Sequence, residues 1–174
     1  MNPSPKTEAS ELSRIIAVDP GINITGYGIL EGNRSTVRVL VCGVIKNSAR
    51  MKSPAKLAAI YGRVSELMEK HLPGACVLED VFYHKNVRAT LKLGQVRGVC
   101  ALAAAQREIP VISYATRRVK KAVVGTGSAR KEQVCAMVQA LLRLDKPPSP
   151  MDISDALALG ITYFQDYSRH LEEK

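Results

Sequence analysis

The chain has 174 residues, 46 % of them apolar, and its 25 Lys and Arg outweigh 16 Asp and Glu to give a net charge of +9. That length suits one domain with a sizeable core, and the positive excess favours an anionic partner, nucleic acid before a membrane surface. No apolar run nears the roughly 18 residues of a membrane span and the polar residues 1–11 lack the apolar core of a signal peptide, so a cytoplasmic protein without membrane contact is expected.

Residues 1–12 read as a disordered extension, 13–170 as a single domain and 171–174 as a flexible tail. The run Ile15 to Val18 closes on Asp19 and the turn residues Pro20 and Gly21, the pattern of a buried strand that carries a carboxylate to the rim of a sheet. Asp19 reads equally well as a turn residue, since Asp before Pro-Gly is ordinary turn chemistry. A second strand over 24–30, a turn at Glu31-Gly32-Asn33 and a third strand over 36–45 make an antiparallel meander. Ser53 is placed to cap a helix with Pro54 in its first turn, running to about His71 with Leu57, Ile60, Val64, Leu67 and Met68 on one face. Residues 75–79 form a fourth apolar run that ends on Glu79.

The spacing predicts a long helix over 88–108 with a stripe of small residues, Gly94, Gly98, Ala101 and Ala105. The stripe suits close approach of a backbone, either this chain's own sheet or a second copy. A fifth strand over 109–113, a basic segment and Gly125-Thr126-Gly127 follow. Ser128 is placed to cap a helix to about Leu144, with Val134, Met137, Val138 and Leu141 as its apolar face. After a Pro-rich loop a last helix runs from about Asp152 to Tyr167. The order βββαβαβ(α)αα implies an α/β fold: a mixed five-stranded sheet, three strands antiparallel and the rest joined by parallel crossovers, with helices on both faces. Cys42, Cys76, Cys100 and Cys135 lie in apolar settings without zinc-ligand spacing and read as buried free thiols.

Asp19 and Glu79 end two strands, and Asp152 and Asp155 stand three apart, one helical turn, at the start of the last helix. Favourable interaction with the helix dipole accounts for acids in a first turn, but not for their apolar neighbours Ile153, Ala156 and Leu157. If the four converge, they form a hard, oxygen-rich site for Mg²⁺ or Mn²⁺, because clustered acids need a cation to neutralise them. Asp80 should point away from Glu79 across the strand. A metal site in a basic, non-redox chain suggests phosphoryl chemistry, in which two ions about 4 Å apart serve the attacking and leaving oxygens.

Several blocks resemble the RuvC family of Holliday-junction resolvases. They are 16–28 (IAVDPGINITGYG), 78–86 (LEDVFYHKN), 91–98 (LKLGQVRG), 119–131 (VKKAVVGTGSARK) and 152–158 (DISDALA). The resemblance covers about residues 14–165 and implies a ribonuclease H-like fold, a homodimer through the 88–108 helix, and symmetric paired nicks in four-way DNA junctions. It implies two Mg²⁺ per subunit, with Mn²⁺ as a substitute, held by Asp19, Glu79, Asp152 and Asp155. It also implies basic residues of the catalytic region at Lys120 and Lys131, an aromatic residue near the crossover at Phe82, and junction-binding and branch-migration motor proteins as partners.

The span 117–131 carries Arg117, Arg118, Lys120, Lys121, Arg130 and Lys131 and no acid, which favours a phosphate-contacting surface over a solvated helix face. Gly125-Thr-Gly127 before the Ser128 cap suits a phosphate cradle; it lacks the Gly-Lys-Ser/Thr ending of a nucleotide-binding loop. Phe82-Tyr83-His84-Lys85-Asn86, just after Glu79, places aromatics beside a cation, as stacking on an unpaired base requires. Phe82, Tyr83, Lys85, Asn86 and Arg88 therefore join the basic span as expected DNA contacts. Lys131 is the candidate for stabilising charge that develops on the phosphate. The rival expectations are a ribonuclease H-like nuclease for another nucleic acid and a catalytically idle junction-binding module.

Overall fold

The computed structural model describes residues 12–80 and 86–166. Five strands, β1 (Ser13–Asp19), β2 (Ile24–Gly32), β3 (Val37–Lys46), β4 (Ala75–Glu79) and β5 (Val111–Tyr114), form one sheet in the order β3-β2-β1-β4-β5. β1, β2 and β3 pair antiparallel; β4 joins β1, and β5 joins β4, in parallel. The helices are α1 (Ser53–His71), α2 (Val87–Ala105), α3 (Thr116–Val124), α4 (Lys131–Leu141) and α5 (Met151–Gln165).

Side chains alternate across a strand, and here that alternation divides the core. Ile16 and Val18 of β1 and Cys76 and Leu78 of β4 pack under α1 and α2, with Ile60, Val64, Val96 and Cys100. Ile15 and Ala17, with Ala75 and Val77, pack under α3, α4 and α5 against Val119, Val134, Leu157 and Phe164. The next positions in the second series are Asp19 and Glu79. Both strands therefore deliver their terminal carboxylate to the α3–α5 side by the same parity that builds the core.

α5 is buried nearly all round, as befits a helix held between a sheet and two other helices. It reaches the sheet closely because β2 is glycine-rich where they meet. A Cβ at Gly28 would stand 2.7 Å from Leu157 Cδ2, and one at Gly26 would collide with the backbone carbonyl of Asp152. Away from this end, Glu31 lies between Arg14 and Arg38, and Arg14 Nη1 also donates to the His71 carbonyl at 2.8 Å, which fastens the end of α1 to the sheet.

Several local expectations need correction. Lys52, not Ser53, is the N-cap of α1, and its side chain caps nothing; Pro54 still lies in the first turn. α2 ends at Ala105 and is capped by Asn86, whose Oδ1 accepts from the Ala89 N–H at 3.2 Å. Ser128 does not cap α4, which starts three residues later with Arg130 as N-cap. Gly125 instead terminates α3 with φ 88, a left-handed conformation that glycine adopts freely, so Gly125-Thr126-Gly127 is a helix exit and not an N-terminal cradle. In α4, Cys135 is buried, whereas Met137 and Leu141 are exposed. Cys42 is exposed because β3 is an edge strand; Cys76, Cys100 and Cys135 are buried as expected. The small-residue stripe of α2 is split: Gly94 and Gly98 face open space and Ala105 is exposed, whereas Ala101 packs beside the buried face formed by Val96, Cys100, Ala103 and Ala104. Among the described residues no helix is long and apolar enough to cross a membrane.

Candidate active site

Asp19 pairs with Gly26 across the β1–β2 ladder, and Val18 pairs with Leu78 across β1–β4, so Asp19 and Glu79 end neighbouring parallel strands. Gly26 in turn lies against the backbone of Asp152. A short chain of contacts thus sets the first turn of α5 beside the end of β1. The acids meet basic and hydroxyl groups from α3 and α4. Thr116 Oγ1 donates to Glu79 Oε1 at 2.6 Å, and Lys131 Nζ donates to Asp155 Oδ2 at 2.6 Å. Together Asp19, Glu79, Asp155, Thr116, Lys120 and Lys131 line a cavity of about 140 Å³ whose apolar wall includes Val119, Val134 and Leu159. Asp152 is not part of that lining. It lies one turn earlier on α5, near enough for its charge to act on Asp19.

The electrostatics follow from this crowding. Burial, followed by the charges of Glu79 and Asp155, pushes the Asp19 carboxyl up to about 8; Lys131 opposes the rise and Asp152 adds to it. Lys131 is held above the ordinary lysine value, first by its hydrogen bond to Asp155 and then, against the cost of burial, by the charges of Asp155, Asp19 and Asp152. An acid that cannot ionise cheaply beside two others is the donor chemistry of a hard divalent cation. Among the described residues no group of three or more Asp, Glu, His or Cys is set to hold an ion as the side chains stand. Two of the acids are engaged by the chain's own groups: the Lys131 ammonium on Asp155 and the Thr116 hydroxyl on Glu79. The donor set fits Mg²⁺ in kind, with Lys131 engaged on one oxygen of Asp155.

The remaining expected contacts fall into three places. Arg117, Arg118 and Lys121 are exposed on the outer face of α3, where they line a groove with Gln165 and Asp166, while Arg130 is exposed at the start of α4. Arg118 is committed there, since its Nη2 donates to both Asp166 oxygens at 2.6–2.7 Å. Asn86 and Arg88 stand exposed at the start of α2. Phe82, Tyr83 and Lys85, with His84, lie outside the described residues. Asp80 does turn away from Glu79, toward Arg97 of α2 at 3.6 Å. Thr116 escapes a reading of the sequence, because a Thr that opens a helix looks like an ordinary cap; only the β4–β5 register, Glu79 opposite Tyr114, brings it to Glu79.

Residues 15–163 match the family described as crossover junction endodeoxyribonuclease RuvC. The chain belongs to the RuvC family. It is similar to the crossover junction endodeoxyribonuclease RuvC of Pelotomaculum thermopropionicum, 42 % identical over 154 residues that make up 88 % of this chain and 94 % of that protein. The protein of the same name from Actinobacillus succinogenes is 44 % identical over 150 residues, 86 % of this chain and 77 % of that one. Among solved structures it is similar to Thermus thermophilus RuvC in complex with Holliday junction substrate. There the TM-score is 0.84 and the identity 31 %, over 91 % of this chain and 96 % of that chain. The yeast mitochondrial Holliday junction resolvase shares the fold at TM-score 0.62 and 14 % identity, covering 92 % of this chain and 82 % of that one. The RuvC fold is ribonuclease H-like, and the nucleases of the family depend on a divalent metal.

Proposed function

We propose that this RuvC chain resolves four-way DNA junctions by paired symmetric nicks that leave 5′-phosphate and 3′-hydroxyl ends. The observation that carries the reading is the placement of Asp19 and Glu79 on adjacent parallel strand ends, facing Asp155 across a small cavity with Lys131 and Lys120 on its wall. Asp19, Glu79, Asp152 and Asp155 would hold Mg²⁺, two ions per subunit with Mn²⁺ as a substitute. When bound, the metal supplies Lewis-acid activation of water and charge neutralisation at the leaving 3′ oxygen.

The chain's own groups do the rest. Asp19, whose carboxyl burial and neighbouring acids push up to about 8, gives up its proton more readily once positive charge arrives in the cavity. Lys131, whose ammonium keeps donors beyond the one on Asp155, donates to a phosphate oxygen as charge grows on the phosphorus. Lys120 adds a second cation on the same wall. The apolar wall limits the water that reaches the cavity. Arg117, Lys121 and Arg130 offer phosphate contacts beside it, while Arg118 braces α3 against the end of α5.

Two nicks need two cavities, and the outward face of α2 supports a homodimer. Leu91 and Leu102 are 63 % and 52 % exposed on the helix that also presents Gly94 and Gly98 to open space. Such a face loses apolar exposure and permits close backbone approach when it meets a second copy. Junction-binding and branch-migration motor proteins are the expected partners, in the cytoplasm. The test compares wild type with Asp19→Asn on a four-way junction, a linear duplex and an RNA–DNA hybrid. The expected result is Mg²⁺-dependent cutting of the junction alone by wild type, and junction binding without cutting by Asp19→Asn. Robust cutting by the variant sinks the assignment of Asp19, and preference for the hybrid sinks the assignment of the substrate.

A further inference from the structure

The turn that leaves Asp19 is fastened by polar groups from two other parts of the chain. Asn47 Nδ2 donates to the Ile22 carbonyl at 3.0 Å, and the Asn47 backbone N–H donates to the Asn23 carbonyl at 2.9 Å. Lys56 Nζ donates to Asn23 Oδ1 at 2.6 Å. Lys56 is only 7 % exposed, and no carboxylate among the described residues pairs with it. It also stands in the first turn of α1, a turn without acids, at the helix end whose dipole disfavours a cation. A largely buried lysine whose ammonium has, among the described residues, one neutral side-chain partner is poorly compensated in that place. Departures of this kind from what stability favours are expected at functional or strained sites.

Donor and acceptor chemistry shows what the ammonium accomplishes. It has no lone pair, so the Asn23 atom that faces it must be the oxygen. The amide is thereby oriented, and Nδ2 is left with two N–H donors and no partner among the described residues. Asn23 is exposed and lines a cleft of about 960 Å³ between the β1–β2 turn and the start of α2, whose wall carries Arg88 and Lys92. These two cations are exposed and lie four residues apart, on one helical face. A wall of donors with two positive charges suits a ligand that only accepts, and the anionic oxygens of a phosphodiester are such a ligand.

We propose that Asn23, Arg88 and Lys92 form a subsite for a DNA backbone phosphate, and that Lys56 is a positioning residue that holds the Asn23 amide with its donors toward the cleft. The proposal rests on the junction reading above. It adds a grip on the α1–α2 side of the sheet to the one that α3 offers on the opposite side. A strand that crosses the ends of β1 and β4 meets both.

The test is binding of a labelled four-way junction in EDTA over a salt series, with thermal melting of each variant. Asn23→Ala and Lys56→Met should each weaken binding by roughly fivefold at every salt concentration, as loss of one charge-assisted hydrogen bond would. The double variant should be no weaker than either single one. Arg88→Ala and Lys92→Ala should each reduce the salt slope by about 0.9, the value for one phosphate neutralised. Asn23→Asp separates function from packing: its carboxylate pairs better with Lys56, so melting should rise or hold, while loss of both donors and the added charge should weaken binding more than Asn23→Ala does. Wild-type affinity in Asn23→Asp, or additive losses in the double variant, overturns the proposal. If Lys56→Met does not fold, the Asn23 variants decide alone. A wild-type protein with no preference for junction over duplex overturns this subsite and the junction reading together; intact preference with unaffected Asn23 variants overturns the subsite only.

Discussion

Asp19 is a carboxylic acid that the fold has made difficult to ionise, and this has a thermodynamic signature. Its pKa is about 8 in the folded, metal-free chain against the ordinary 3.8. A raised acid pKa means that the folded state holds the proton more tightly than the unfolded one, so the stability it contributes is complete below pH ~4 and is lost as pH rises through about 8. In EDTA, wild type should lose stability relative to Asp19→Asn between pH 5 and 9, by on the order of a few kcal/mol. Added Mg²⁺ should remove most of that slope, since a cation restores the ionised form. Urea melts of both proteins across that range check the prediction; parallel pH profiles in EDTA would show that Asp19 is not buried among like charges. The other acids could be named from the sequence, yet their partners could not. Thr116 and Lys131 reach Glu79 and Asp155 only through strand register and helix packing, neither of which a single sequence displays.

At the scale of elements, the critical contact is between β2 and α5. Gly26 stands opposite Asp19 in the ladder and directly beneath the Asp152 carbonyl, so one residue sets the distance between two of the acids. Gly26→Ala forces a Cβ into that backbone. The start of α5 must shift, at an overpacking cost of roughly 1–3 kcal/mol. We expect the variant to fold with a lowered melting temperature, to bind junction DNA within about twofold of wild type and to cut at least about tenfold more slowly, a displacement of about 1 Å being costly to positioned chemistry. Single-turnover cleavage and filter binding on the same preparation check this. Most elements are legible in the sequence, because short continuous apolar runs and Pro-Gly breaks mark strands and helix ends strongly. The α4 cap is not legible, since Ser128 has the chemistry of a cap, while Gly125 ends α3 and leaves a turn before α4 begins. The exposure of Cys42 is not legible either, because an edge strand cannot be told from a central one by its own residues.

Over the whole molecule, the strand parity that divides the core also gathers the site. Asp19 and Glu79 continue the series Ile15, Ala17 and Ala75, Val77, so the α3–α5 layer receives both carboxylates while α1 and α2 are left to pack, bind and face outward. The open positions Gly94 and Gly98 on α2 are what the proposed self-association uses. Gly98→Glu adds a charge where a side chain meets nothing within the chain, so the helix content should be unchanged. Sedimentation should nevertheless shift from dimer to monomer, and paired nicking should fall with it; a dimer that persists would place the interface elsewhere. The sequence announced the small stripe but left its orientation open, since both a sheet and a second helix accept such a surface.

Strand-end mapping after Mg²⁺-dependent cleavage of a mobile four-way junction tests paired symmetric resolution without intermediaries. Two nicks are expected at symmetric positions on opposing strands, with 5′-phosphate and 3′-hydroxyl ends that ligase seals, all abolished by Asp19→Asn. Single unpaired nicks, cuts at unrelated positions, or ends that ligase cannot join would contradict it.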